Sequence, residues 1–349
     1  MANHMELNWE YIAMNTNEGG DVSMPEKDAS NVEPLVHWVT LNEFRLEVLG
    51  HTKVNARCYK NTRQQVPIKV TLDARNENGE QVSLTATQMQ GITLCYYESS
   101  EPMGGWSRKN NQYEYDFLPL REDGTELPLV EEDGLPGTTA NTITLYMATS
   151  MIEKKVAASI TSSTGVVYRS NTPNAQPGSG KFDSWINVVG VEVPIHQASA
   201  FAFERHDVRQ GDRFDVDLYY LRFNDLNAKY RIKGSLHLDT PADHKHYSWD
   251  KDGWQEKACF AFAVDELRTI SYGQPNGGFH INDKAGQANA ARIATKMYWA
   301  THLDTDPRVV YYDQYGNPGM VRYVVSSNGN MMTIANAGDP PRDWPMAGE

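Results

Sequence analysis

The densest collection of metal-capable side chains in this chain is His237, Asp239, Asp243, His244, His246, Asp250 and Asp252. His237 and Asp239 stand two apart at the end of a predicted strand and so share a face, and His244 and His246 would do the same if their loop were extended. Neutral imidazoles with a carboxylate suit zinc or another borderline metal, which makes His237, Asp239, His244 and His246 the candidate ligands of a metal ion. The spacing matches no established signature such as HExxH. Polar histidines on a turn opened by Thr240-Pro241 account for the same cluster without a metal. Asp250-Lys251-Asp252-Gly253 begins like a calcium loop, but Trp254 stands where the third oxygen donor belongs and Glu256 comes too early for the terminal bidentate ligand.

Glu204-Arg205-His206-Asp207 packs acid, base and imidazole into four residues. On a strand, Glu204 could meet His206 and Arg205 could meet Asp207; ion pairs at a strand end are the simpler account. The chain contains no GxSxG, no Walker loop and no GxGxxG, and no cysteine carries a catalytic signature. No catalytic residue is therefore singled out, and the only cofactor the residues suggest is the metal ion above. Eighteen Tyr and eight Trp offer another chemistry. Trp106, Trp249 and Trp254 lie in turn-rich polar surroundings, where an indole can stack on a sugar or anchor a protein interface. Trp9, Tyr11 and Ile12 form an apolar cluster within residues 1–34, an arm of little periodicity that would pack on its own domain or on a neighbouring subunit.

These candidates must be held by strands. Val66, Ile68, Val70, Leu72 and Ala74 alternate with Pro67, Lys69, Thr71, Asp73 and Arg75, the period of a half-buried strand. Asn76-Glu77-Asn78-Gly79 offers a turn, and Val82 and Leu84 restart the alternation, which predicts a hairpin. Pro67 lacks a ladder N–H and belongs on an edge or at a bulge. Further strand signals recur from Leu35 to Arg169, separated by Asn, Gly and Pro turns, with turn-rich acidic loops between Tyr97 and Asn141 that suit recognition. This is the pattern of an antiparallel sandwich. In that pattern residues 35–172, with Ala157 to Tyr168 as a closing hairpin, resemble bacterial immunoglobulin-like modules. The resemblance implies a sandwich and carries no binding residue with it.

Asn171-Thr-Pro-Asn-Ala-Gln-Pro-Gly-Ser-Gly-Lys breaks both helix and sheet, so residues 173–181 are expected to be a linker cut near residue 176. Residues 182–349 form a second β-rich domain. Phe214, Val216 and Leu218 alternate with Asp215, Asp217 and Tyr219 before aromatics fill both faces, as in a strand entering a covered region. Tyr311 to Val325 reads as a hairpin turning at Gly316-Asn317. One helix is expected near residues 284–300, where Ala290, Ile293, Ala294 and Met297 share a face and Asn282 or Asp283 could cap the start. The fold class is thus mainly β: two antiparallel β-sandwich-like domains, the second with that helix.

A chain of 349 residues with 40% hydrophobic content is long enough for two cores. The net charge of -13 opposes nucleic acid and anionic membranes. No apolar run approaches the roughly 18 residues a membrane span needs, and the N-terminus lacks a basic cap followed by an apolar segment; a cytoplasmic protein, or one exported without a classical signal peptide, is expected. Cys58, Cys95 and Cys259 show no CxxC pairing and fit a reducing compartment. Together these features point to a non-enzymatic structural or interaction protein that self-assembles, its partner being a further copy of itself. The alternatives are a toxin or adhesin module that binds a host glycan or receptor, and a metal-dependent hydrolase.

Overall fold

Val66 to Arg75 buries every second side chain, and Val66, Ile68, Val70, Leu72 and Ala74 are all without exposed surface. The computed structural model describes residues 35–49, 55–109, 114–117, 141–171, 182–210, 214–238, 244–248, 256–262, 264, 268–271, 278–295, 307–326 and 329–338. Trp9, Tyr11 and Ile12 lie outside them. The chain divides into two units between Val193 and Pro194.

The first unit contains β1 (Thr40–Val48), β2 (Asn55–Tyr59), β3 (Val66–Arg75), α1 (Ala86–Met89), β4 (Thr93–Tyr96), β5 (Trp106–Ser107), β6 (Asn141–Met147), β7 (Glu153–Thr161), β8 (Val167–Arg169) and β9 (Ile186–Val191). One sheet runs β1-β3-β6-β5. The other runs β2-β9-β7-β4, with β8 also on β7. Their apolar rows meet in one core, in which Phe44, Leu46, Ile68, Leu72 and Leu145 of the first sheet join Leu94, Val156, Ile186 and Val188 of the second. All pairings are antiparallel except β2 with β9, which is parallel.

Three sequence expectations change here. The arm after β3 is not a strand: a single bridge joins Arg75 to Gln81, and β6 takes the place in the ladder. Asn141 fixes the displaced segment, its side chain accepting from Leu84 N–H at 2.6 Å and donating to Val82 O at 3.1 Å. Pro67 lies on a central strand rather than a border. It accepts from Leu49 N–H at 2.9 Å just beyond the end of β1, so its missing N–H falls on the last rung, where a lost bond disturbs no further pairing. The boundary also moves: the expected linker, residues 173–181, lies outside the described residues, but β9 beyond it pairs with β2 and β7 of the first unit, which ends at Val193.

The second unit contains β10 (Phe201–Gln210), β11 (Phe214–Phe223), β12 (Ile232–His237), β13 (His244–Ser248), β14 (Glu256–Ala261), β15 (Arg268–Ser271), β16 (Gly278–Ile281), β17 (Ala288–Thr295), β18 (Arg308–Asp313), β19 (Pro318–Val325) and β20 (Met332–Asn336). A five-stranded sheet, β10-β11-β17-β14-β13, shares a core with a four-stranded sheet, β12-β18-β19-β20, and β15 pairs with β16. Tyr219, Leu221 and Ala290 of the first sheet meet Val309, Tyr311, Val321 and Tyr323 of the second. The hydroxyls of Tyr311 and Tyr323 bond each other at 2.5 Å inside this core. The β18–β19 hairpin turns at Gly316, whose φ is +79°, as its sequence predicts.

The helix expected near residues 284–300 is a strand over Ala288–Thr295. It lies between β11 and β14, and Ala288 to Ala294 are all buried. A central strand covered on both faces shows no alternation and favours small side chains, so an Ala run that scores as helix is taken into the sheet by packing. Among the described residues no helix is long and apolar enough to cross a membrane.

Candidate functional site

Register brings the chemistry of the second unit to one end of its sandwich. Asp207 of β10 stands opposite Asp217 of β11, Asp217 opposite Arg292 of β17, and Arg292 opposite Cys259 of β14. Asp215 follows on the same side of β11. The carboxylates of Asp207, Asp215 and Asp217 lie within 4.8 Å of one another, a grouping that could hold a cation if it stood alone.

It does not stand alone. Arg292, only 2% exposed, places Nη1 at 2.7 Å from Asp215 Oδ2 and 3.0 Å from Asp217 Oδ2. Its Nε donates to Gly329 O at 2.7 Å and its Nη2 to Asn330 Oδ1 at 3.0 Å, which ties the β19–β20 loop to the opposite sheet. Arg205 Nη2 approaches Asp217 Oδ1 at 2.7 Å from the other side. Burial by itself would lower the pKa of Arg292, but the hydrogen bonds and charges of Asp215 and Asp217 outweigh it and hold the guanidinium above its ordinary range. The contact with Asp217 likewise raises Arg205. Two guanidiniums against three carboxylates leave one formal negative charge, and Arg292 already fills the position a cation would need. The chemistry here is a buried electrostatic clamp.

A second buried pair holds the other hairpin. His196 Nε2 lies 2.9 Å from Asp313 Oδ2, and Asp313 also accepts from Tyr315 N–H, Asn317 N–H and Asn317 Nδ2 at 2.8, 2.9 and 3.0 Å. The rings of Phe223 and Tyr230 meet the His196 ring edge-on at 4.8 and 4.7 Å. Every oxygen of the fully buried Asp313 is thereby satisfied.

The expected site residues that are described fall on different strands. His237 ends β12, opposite Val309, whereas His244 and His246 lie on β13 of the other sheet, opposite Phe260 and Ala258. The side chains of His244 and His246 lie outside the described residues, as do Asp239, Trp249 and Trp254. Trp106 is half-buried; its Nε1 donates to Met103 O at 2.7 Å and Arg108 covers its ring at 5.0 Å. Glu204 binds Arg222 through Nε at 3.1 Å and Nη2 at 2.7 Å, and His206 meets the Tyr220 ring edge-on at 5.0 Å, so Glu204 and His206 go to other partners; Arg205 interacts with the charge of Asp207 while bonding Asp217. The alternation in sequence sets Asp215 and Asp217 on one row of β11 but does not name Arg292 as their partner. Tyr219, Leu221 and Phe223 continue that same row, and this is the signal that it faces inward.

One row of main-chain groups is left over. Asn224 N–H donates to Ala200 O at 2.9 Å, and rungs alternate from there. Ala202, Glu204 and His206 therefore turn their amides toward β11, while Phe203, Arg205 and Asp207 turn theirs away from the sheet. Three other border strands each have an outward amide capped: Leu46 N–H of β1 donates to Ser184 Oγ at 2.8 Å, Ile232 N–H of β12 to Gly286 O at 3.0 Å, and Met332 N–H of β20 to Tyr219 Oη at 3.2 Å. Among the described residues nothing pairs with the outer row of β10.

No protein-family model matches the chain, and none of the curated proteins does. Among solved structures it is similar to the C-terminal domain of the Streptococcus pyogenes antigen I/II-family protein AspA, at 8% identity and a TM-score of 0.23 over 85% of this chain and 100% of that one. Agreement that slight carries neither a family nor a function.

Proposed function

We propose that this chain is a non-enzymatic structural or interaction protein, built of an immunoglobulin-like first unit and a second β-sandwich, that self-associates. The observation that carries this reading is the outer row of β10, the border of a five-stranded sheet, whose amides at Phe203, Arg205 and Asp207 have no partner among the described residues. An unpaired strand is a template for another chain. Arg205 of this border bonds Asp217, which joins β10 to the buried Arg292 group. Size-exclusion chromatography with light scattering over a range of concentrations, on the whole chain and on a variant lacking residues 1–34, tests it. A mass above that of one chain is expected for the whole chain, and the arm contributes if the shorter variant falls to a monomer. Monomers throughout would overturn the proposal.

A second reading, recognition of a host glycan or receptor, is favoured by one cluster in the first unit. The rings of Tyr97 and Trp185 lie 5.6 Å apart on the surface of a sheet, with Lys155 Nζ 5.9 and 5.4 Å from their centres and Asp183 accepting from the Tyr97 hydroxyl at 2.8 Å. Aromatic rings flanked by charged groups suit a polar ligand with an apolar face. A glycan array with the wild type and Trp185→Ala checks this reading; binding lost in the variant supports it, and silence across the array counts against it.

A further inference from the structure

We infer that β10 pairs with β10 of a second copy of this chain, antiparallel about a two-fold axis at His206, an inference that rests on the self-association proposed above. Only residues whose amides point outward can form the hydrogen-bonded rungs. Those are Phe203, Arg205 and Asp207, so the permitted registers place odd-numbered residues opposite odd-numbered ones. A two-fold at Arg205 sets Arg205 against itself, and one at Asp207 sets Asp207 against itself; like charges directly opposite oppose pairing. With the axis at Glu204, Phe203 faces Arg205 and no opposite charges meet. With the axis at His206, Arg205 of each copy faces Asp207 of the other, which gives two symmetric pairs of opposite charge. Both side chains are exposed, and the interface is self-complementary as a two-fold contact must be.

The irregularity between Asp207 and Arg209, with Val208 as the extra residue and 40% exposed, sets the limit of the ladder. A bulge ends regular pairing, so the rungs centre on Arg205 and Asp207. Alternating charge and a bulge also protect a border against indiscriminate pairing. Here the same devices favour the axis at His206, the one register compared that sets opposite charges face to face.

In this arrangement His206 faces its own counterpart across a non-hydrogen-bonded position, where Cα atoms lie about 4.5 Å apart, within the range a disulfide spans. The test is cysteine cross-linking of the full chain under mild oxidation, read on non-reducing gels alongside light scattering, with circular dichroism to confirm the fold. His206→Cys is expected to form a reducible dimer that the wild type, whose three cysteines are buried, does not. Glu204→Cys alone should run as the unlinked single chain on the gel, because in this register Glu204 does not face its own counterpart. Adding Asp207→Arg to His206→Cys turns two attractions into two repulsions and should lower the cross-linked fraction about tenfold. Glu204→Cys linking to itself as fast as His206→Cys would overturn the register. Assembly seen by light scattering with no His206→Cys dimer would overturn this border as the interface and leave the proposed function standing; monomers at every concentration would overturn both.

Discussion

Replacing Arg292 with methionine keeps most of the volume of the side chain and removes its charge from the end of the second sandwich. Four polar contacts go at once: the carboxylates of Asp215 and Asp217, the carbonyl of Gly329 and the side chain of Asn330. Asp215 retains some exposure and can turn to water. Asp217, with none, is left with Arg205 alone. Breaking a buried pair from one side costs about 3–5 kcal/mol, because the remaining charge is neither solvated nor matched. With a urea dependence of about 2 kcal/mol per molar, the unfolding midpoint of this unit should fall by about 2 M. Asp217→Leu added to Arg292→Met removes the stranded charge and should recover more than half of the loss. Urea titration followed by circular dichroism gives the midpoints, and hydrogen exchange in peptides covering β11, β17 and residues 329–330 locates the opening. A midpoint shift below about 0.5 M, or a double variant no more stable than Arg292→Met, would show that the clamp does not hold this end together.

Two further outcomes follow from the first unit. Burial pushes the Cys58 thiol from 9.0 up to about 12, with Lys154 pulling the other way; the folded state keeps the proton after the unfolded chain has lost it, so the contribution to stability is intact below pH 9 and declines as the pH rises toward 12. The loss over that window is about 4 kcal/mol, and Cys58→Ala should flatten the pH dependence of the urea midpoint there; an unchanged slope refutes the assignment. A methyl group on Gly190 would lie 2.0 Å from Met151 O and 2.5 Å from Lys60 Cγ, so Gly190→Ala should destabilise by at least ~3 kcal/mol, whereas Gly104→Ala, with nothing within 4 Å, should melt near the wild-type temperature.

Much of the architecture is legible in period-two patterns. The alternation from Val66 to Arg75 names the buried face of β3 residue by residue, and Gly316 marks the β18–β19 turn. What escapes local reading depends on partners distant in the chain. Val82 and Leu84 carry a strand pattern but lose the place beside β3 to β6, a competition that no window around them contains. The Ala run at 288–294 has helical propensity and is central to a sheet, because burial of both faces outweighs a preference worth a few tenths of a kcal/mol per residue. The clamp hides for a related reason. Aspartates alternating with Val and Leu look solvated until the aromatics that follow on the same row are counted, and Arg292, the one charge inside that Ala run, is the residue that called for a buried partner. The His237 to His246 cluster is the reverse case, close in sequence and divided between two sheets.

The parallel pairing of β2 with β9 sets the order of events during synthesis. In its sheet β2 has β9 as its one neighbour, and Asn55 cannot meet Asn187 until the chain has been made almost to the end of the first unit. Closing so long a loop before its contacts repay the entropy makes this a slow, late step. Until then the core-facing side of β2, with Ala56 and Cys58, stays uncovered on the nascent chain. The first unit must therefore mature as a whole after its last strand leaves the ribosome, and a truncation anywhere before Val191 should yield an aggregation-prone chain rather than a smaller stable domain.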